Sequence, residues 1–230
     1  MLSPYPGVPL NNQLLSALPR DQFDLLAPHL STRELAQGAV LLETGEEFDR
    51  VYFPLRGMLS LLIVMSDGKA IEVATVGREG VVGAMAGLGL YKSSVRVVVQ
   101  LPMAVAEIAA SQFRKAIDSS DAVRDLCIRY NEVLLVQARV TAACNALHPV
   151  ESRFCRWLLQ SADRAESDTV QLTQEFLAEM LGVRRTSVTD VASNIQKLGA
   201  ITYSRGVIHI VDRKALEGLA CECYGTLRGH

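Results

Sequence analysis

Apolar residues recur along the chain with three different periods, and each period marks out its own stretch. Between about Ser31 and Gln112 they come in short alternating runs, punctuated by Gly38, Gly45, Gly57, Gly68, Gly77, Gly80 and Gly83. That pattern predicts strands at Val40–Glu43, Arg50–Pro54, Gly57–Val64, Ala70–Val76, Val95–Gln100 and Met103–Ile108, with Ser66-Asp67-Gly68-Lys69 as a hairpin turn. Many short strands joined by glycine turns indicate a small barrel or roll. Such a roll encloses a pocket that a ligand can enter or that side chains can fill.

From 121 to 147 the period becomes helical. Ser119, Ser120 and Asp121 supply a helix start, and Val123, Leu126, Tyr130, Val133, Gln137, Val140, Cys144 and Leu147 follow at alternating spacings of three and four. A heptad seam without a break predicts a helix of roughly 39 Å at about 1.5 Å per residue. Its seam suits a parallel two-stranded coiled coil, with polar Gln137 fixing the register. A long helix packed on its own roll would show the same stripe.

The third stretch is Leu172–Gly199, LTQEFLAEMLGVRRTSVTDVASNIQKLG, which reads as two short helices meeting at Gly182. Thr173 caps the first, whose apolar stripe is Phe176, Leu177, Met180 and Leu181, with small Ala178 facing the turn. The second buries Val188, Val191, Ala192, Ile195 and Leu198, and turns Arg185, Thr186, Thr189, Asp190, Ser193 and Lys197 outward. Side chains of those types match DNA: Arg donates twice to a guanine edge, Thr touches a thymine methyl, Asp accepts from cytosine, and Ser or Lys suits phosphate. Bases are read from the N-terminal end of such a helix, which singles out Arg184, Arg185, Thr186, Thr189 and Asp190, with Ser193 and Lys197 nearer the backbone and Ser187 a further DNA-binding candidate. Ala200–Asp212, AITYSRGVIHIVD, then forms two strands about a Ser204-Arg205-Gly206 turn, a wing whose tip residue Arg205 lies near the DNA backbone. An ordinary amphipathic helix pair with a solvated face is the competing reading.

Composition narrows the class without selecting it. With 230 residues, 49% hydrophobic and 21% charged, the chain is long enough for two globular domains. A net charge of −2 is not that of a protein coated in nucleic acid, so charge counts only locally. Between Arg184 and Arg205, four cations against Asp190 leave a net +3, a modest patch suited to site-specific binding. The longest apolar runs, such as Met58–Met65, are too short to span a bilayer, and no signal peptide or membrane association is expected. Five cysteines, Cys127, Cys144, Cys155, Cys221 and Cys223, are an odd number and point to reduced thiols in a cytoplasm. Cys221-x-Cys223 has a spacing able to bind metal or sense oxidation, but is read as incidental, and no metal is expected.

The remaining segments connect these parts. Residues 1–11 are a loose lead-in, with short helices around Asn12–Ala17 and Arg20–His29 after it. His148-Pro149 ends the long helix as a hinge, since proline cannot continue the ladder and restricts its predecessor. Glu151–Ala162 opens the last domain as a helix burying Phe154, Cys155, Trp157 and Leu158. Asp163–Asp168 is a charged loop and Arg213–Tyr224 a closing helix.

Roll, long helix, hinge and winged helix-turn-helix, in that order, resemble the Crp/Fnr superfamily of bacterial transcription regulators. The resemblance covers nearly everything after the lead-in and is most specific in LLETGEEFDRVYFPLRGMLSLLIV, where Gly45 and Gly57 take the family's turn positions, and in the helix pair. It implies an α+β fold: a cyclic-nucleotide-binding-like β-roll over 1–120, a dimerisation helix over 121–147 and a winged helix-turn-helix over 148–230. By resemblance, Arg184, Arg185, Thr186, Thr189 and Asp190 fall where the family reads the major groove.

The chain departs from the family at the cyclic-nucleotide site, GVVGAMAGLGLYKSSVRVVV. Members that bind cyclic AMP hold the ribose with a glutamate after a glycine, and the phosphate with an Arg-Ser pair. Here Gly83 is kept, Ala84 stands at the glutamate position, Ser94 and Val95 stand at the Arg-Ser positions, and Arg96 on the same face as Ser94 is the one substitute. Losing both polar contacts removes the strongest interactions open to that ligand. No cysteine precedes Cys127, which argues against the iron–sulfur branch, and His29, His148, His209 and His230 lie outside the roll, which argues against a haem or a cupin metal. The expected protein is a homodimeric regulator on pseudo-palindromic double-stranded DNA, with RNA polymerase a further partner if it activates, no identified cofactor and an unknown effector. The alternatives are a constitutive DNA-binding factor with a filled roll, and a cupin-type enzyme carrying a DNA-binding tail.

Overall fold

Alternating apolar residues do form strands, but longer ones than the glycine spacing suggests. A computed structural model describes residues 11–228, so the expected lead-in up to residue 10, and His230, lie outside the described residues. Helices α1 (Gln13–Ala17) and α2 (Arg20–Phe23) and a 3-10 turn at Ala27–His29 lead into β1 (Ser31–Leu35), β2 (Val40–Leu42), β3 (Arg50–Val64), β4 (Ala70–Val76) and β5 (Arg96–Ala109). Their sheet runs β1-β5-β3-β4, with β2 also on β5.

Two expected pairs of strands are therefore single strands. Gly57 sits inside β3 at φ 78°, where an added Cβ would lie 2.5 Å from the Pro102 carbonyl oxygen and 2.6 Å from the Met103 Cβ. The glycine is there for a close approach of β3 to β5, not to end a strand. Ser66–Lys69 is the hairpin turn expected, closed by Met65 N–H donating to the Lys69 carbonyl at 2.8 Å. Strand β1 has no apolar alternation to announce it. It is an exposed edge, paired from Ser31↔Glu107 to Leu35↔Met103, with Arg33 and Arg50 both on buried Glu107 at 3.2 and 3.1 Å.

After β5 the chain turns at once into α3 (Ala110–Ser119), which buries Phe113, Ala116 and Ile117. Phe113 meets Phe53 edge-on at 5.9 Å. Ser120 then accepts from the Val123 N–H at 3.1 Å and starts α4 (Asp121–Leu147). The seam of α4 is partly covered within the chain. Val123, Cys127, Tyr130, Gln137, Thr141 and Cys144 are all buried within the single chain, and Gly80 is small because the Tyr130 hydroxyl would stand 1.8 Å from any Cβ there. Four of the seam residues expected to meet a partner, Val123, Tyr130, Gln137 and Cys144, are thus covered already. Leu126, Val133 and Val140 are half-buried.

Two compact units divide inside α4, one running up to Leu61 and again over Thr75–Leu135, the other comprising Leu62–Ala74 and Val136 onward. Elements of the second are α5 (Val150–Ala165), β6 (Thr169–Gln171), α6 (Gln174–Leu181), α7 (Arg185–Lys197), β7 (Ile201–Ser204), β8 (Val207–Ile210), α8 (Arg213–Leu219) and α9 (Cys223–Arg228). Helix α5 carries the core, with Phe154, Leu158 and Leu159 wholly buried and Trp157 donating its indole N–H to Glu72 at 2.9 Å. The charged loop begins later than expected, because α5 continues to Ala165 before Glu166 adopts a left-handed φ of 50°. The single closing helix is instead two, separated at extended Ala220. Arg213 and Tyr224 hold both to Asp163, the Tyr224 hydroxyl donating at 2.8 Å.

Gly57→Ala should destabilise the first unit by about 2–4 kcal/mol, since the new methyl must displace backbone on β5 and the residue must keep a positive φ. Urea denaturation checks this, and a loss under about 0.5 kcal/mol, the size of an ordinary surface change, would contradict the close-approach account.

Candidate nucleic-acid interface

The interface is built from caps outward. Thr173 accepts from the Phe176 N–H at 3.2 Å and starts α6. Gly182, at φ 63°, ends it while its N–H donates to Glu179 and that of Val183 donates to Ala178. Arg184 takes the extended conformation before α7 with no side-chain capping bond. Helix α7 buries Val188, Ala192 and Ile195 at 2% exposure or less. That rotation leaves Arg184, Arg185, Thr186, Thr189, Asp190, Ser193 and Lys197 exposed and Ser187 half-exposed. Leu198, expected on the buried side, is 63% exposed just past the helix end, and Val191 is half-buried.

The wing has three strands, in the order β6-β8-β7, one more than the sequence indicates. Arg205 and Gly206 have φ values of 51° and 77°, the left-handed pair of a type I′ hairpin turn. A tight grip ties this tip to the helix pair. Leu172 N–H donates to the Gly206 carbonyl at 2.7 Å, the Tyr203 hydroxyl to the Leu172 carbonyl at 2.9 Å, and Tyr203 N–H to Gln196 Oε1 at 2.7 Å. Burial raises the Tyr203 pKa, which keeps that hydroxyl a donor. A cleft of about 530 Å³ opens between the first turn of α6 and the wing, lined by Thr173, Gln174, Glu175, Arg185, Tyr203 and Arg205 among others. Sequence reasoning missed Gln174 and Glu175. Gln174 Oε1 lies 2.9 Å from the Thr189 hydroxyl, and Glu175 lies 3.9 Å from Arg185. The first occupies the hydroxyl of a base-reading candidate, and the second is an exposed pair that a phosphate or guanine edge can replace.

At the expected effector position, Gly83 is left-handed at φ 87° and opens a 3-10 turn over Ala84–Leu88, with Ala84 buried. Ser94 is exposed and precedes β5, not on its face. Arg96 opens β5 and is engaged, its Nε 2.8 Å from Glu43 Oε2. Inside the roll the polar pair is Ser60 and Gln100, both fully buried and hydrogen-bonded to each other.

One cluster departs from the expectation of no metal. Cys144, His148, Cys221 and Cys223 bring their ligand atoms within 4.8 Å of one another. Burial pushes the Cys144 thiol up, but the His148 hydrogen bond, the Arg156 charge and the neighbouring thiols outweigh it and its pKa is lowered. The hydrogen bond with Cys144 raises His148. Burial, then the charge of Cys144, pushes Cys223 up to about 12. Cys127 and Cys155 stand apart, each pushed up to about 12 by burial.

Comparison with known proteins places these parts. A cyclic nucleotide-binding domain matches residues 32–120 and a Crp-like helix-turn-helix domain matches residues 152–219. The HTH-type transcriptional regulator Cmr of Mycobacterium tuberculosis is 25% identical over 215 residues, covering 88% of this chain and 82% of that protein. A solved structure from Eubacterium rectale, assigned to the Crp/Fnr family of transcriptional regulators, superposes with a TM-score of 0.70 at 18% identity over 91% of this chain and 98% of the other. FixK2 from Bradyrhizobium japonicum gives 0.69 at 16% identity, over 84% and 98%. These likenesses are to regulators and not to enzymes. No helix among the described residues is long and apolar enough to cross a membrane.

Arg185→Ala should cost about 1–3 kcal/mol on a preferred DNA site and flatten the preference at one base position. Competition binding against base-substituted sites checks this. An equal loss on preferred and random DNA would make Arg185 a phosphate contact.

Proposed function

Because the chain belongs to the Crp/Fnr superfamily of transcription regulators, we propose that it works as a homodimer whose two α7 helices read a pseudo-palindromic operator. The observation that carries this reading is the rotation of α7, whose exposed face gathers Arg184, Arg185, Thr186, Thr189, Asp190, Ser193 and Lys197, with Ser187 half-exposed, and Arg185 shares a cleft with Arg205 at the wing tip. Two such helices fit successive major grooves about 34–36 Å apart. The site of action is the cytoplasm, where DNA is met and where five free thiols stay reduced. A version that activates has RNA polymerase as its further partner.

Dimerisation is assigned to a different face of α4 from the seam that the heptad suggests. Ile128, Leu135 and Ala142 are exposed and seven apart, and Asn131, Ala138 and Asn145 follow them in turn, each three residues on. Ile128 is 51% and Leu135 40% exposed, a cost that a second copy of the helix removes. Alanines in that stripe allow close approach. The conformational step belongs at the corner His148-Pro149, where Pro149 interrupts the helical ladder.

Cyclic AMP is not the effector in this reading. Ala84 offers no ribose acceptor, and Arg96, the one replacement for the phosphate-binding arginine, is held by Glu43 at 2.8 Å.

Selection of bound sites from a random DNA pool, without added ligand, tests the proposal. It should return a two-fold-symmetric motif with half-sites about one helical turn apart, and saturating cyclic AMP should leave affinity for that motif unchanged. No enrichment, with or without cell extract, would overturn the reading of α7. Leu135→Asp should convert a dimer to a monomer by light scattering, and an unchanged dimer would remove α4's exposed stripe from the interface.

A further inference from the structure

The end of α4 and the turn before α9 carry side chains that the DNA-binding function does not use. Cys144 and His148 are four residues apart, so they lie on one face of the last helical turn, and the His148 N–H donating to the Cys144 carbonyl at 3.0 Å extends that turn. From the other side, extended Ala220 stops α8, and Tyr224 N–H donates to the Cys221 carbonyl at 3.0 Å. That tight turn points Cys221 and Cys223 at the same place.

The distances fit four ligands around one ion. Cys144 Sγ is 3.5 Å from Cys221 Sγ, Cys223 Sγ is 3.6 Å from His148 Nδ1, and all four ligand atoms fall within 4.8 Å of one another. Tetrahedral zinc, with sulfur at about 2.3 Å and nitrogen at about 2.0–2.1 Å, sets neighbouring ligands about 3.5–3.8 Å apart. A Cys144–Cys221 disulfide would use two of the four groups and leave the others without a role. Behind the imidazole, Glu222 Oε1 lies 3.1 Å from His148 Nε2. A carboxylate there places the ring proton on Nε2 and turns the Nδ1 lone pair towards the sulfurs, the usual outer-shell support of a metal-bound histidine. The three thiols are 0%, 7% and 7% exposed, so an ion between them is shielded from water.

We propose that Cys144, His148, Cys221 and Cys223 form a tetrahedral site for a zinc ion. Three thiolates and an imidazole are soft donors that suit zinc and exclude magnesium and calcium, which need oxygen. Four protein ligands leave no open position, so the site is structural and not catalytic. It brackets His148-Pro149, and filling it cross-links the end of α4 to the C-terminal turn within the second unit. Occupancy therefore governs the stiffness of that corner. The inference does not depend on which face of α4 dimerises or on which bases α7 reads.

The experiment is a Co²⁺ titration of the reduced, metal-stripped full chain. One Co²⁺ per chain should give the intense visible bands of tetrahedral coordination and a near-ultraviolet thiolate charge-transfer band, both displaced by one equivalent of Zn²⁺. Cys144→Ser and Cys223→Ser should abolish that spectrum, while Cys127→Ser and Cys155→Ser should keep it. Glu222→Gln, on a side chain that is 78% exposed, should keep the spectrum and weaken Co²⁺ binding about ten- to a hundred-fold. A weak, octahedral-type spectrum at excess Co²⁺ in the natural sequence, or a tetrahedral one that survives Cys223→Ser, would overturn the site.

Discussion

Everything at the interface depends on which side of α7 is buried. A helix of 13 residues has little stability of its own and is held by packing its apolar stripe. Val188, Ala192 and Ile195 are at most 2% exposed, and no other rotation of the helix would bury them together. That single constraint fixes the direction of every polar residue on the opposite side. The wing tip is held at a set distance from that face, because a backbone bond from Leu172 to Gly206 and a side-chain bond from Tyr203 to Leu172 tie it to the start of α6.

How much of this the sequence disclosed follows the range of the interactions. The helix pair was legible because its signals are local: a threonine cap at Thr173, a left-handed glycine at Gly182 and a 3.6-residue stripe all act within a few residues. The wing turn was legible for the same reason, and its third strand was not, since Thr169–Gln171 becomes a strand only by pairing with Val207–His209. In the roll, Gly57 looked like a turn because sequence shows a missing side chain but not the Pro102 carbonyl that requires it. The heptad of α4 gave the helix and its start at Ser120 correctly. It did not show the contact of Tyr130 with Gly80, because a stripe says only that a face is buried, and Gly80 is 50 residues away. The four-residue cluster was out of reach for a related reason: Cys144 and Cys221 are 77 residues apart and are joined by a turn at Ala220 that no strong breaker announces.

In the roll, the groups that shape the backbone and those expected to meet a ligand are different ones. Gly83 retains the left-handed φ that starts the 3-10 turn, and Gly87 lies against Ile117 of α3 so closely that a Cβ would fall 2.3 Å from it. These glycines serve packing. The charged groups that would recognise a cyclic nucleotide have no such structural duty. At the positions expected to hold such groups, Ala84 is buried, Ser94 is exposed and Arg96 is matched by Glu43.

The central claim, two symmetry-related α7 helices in successive major grooves, is tested most directly by hydroxyl-radical footprinting of the complex on a bound DNA fragment. Two equivalent protected regions, related by a two-fold axis and centred about one helical turn apart, are predicted. A single protected region without symmetry would contradict it.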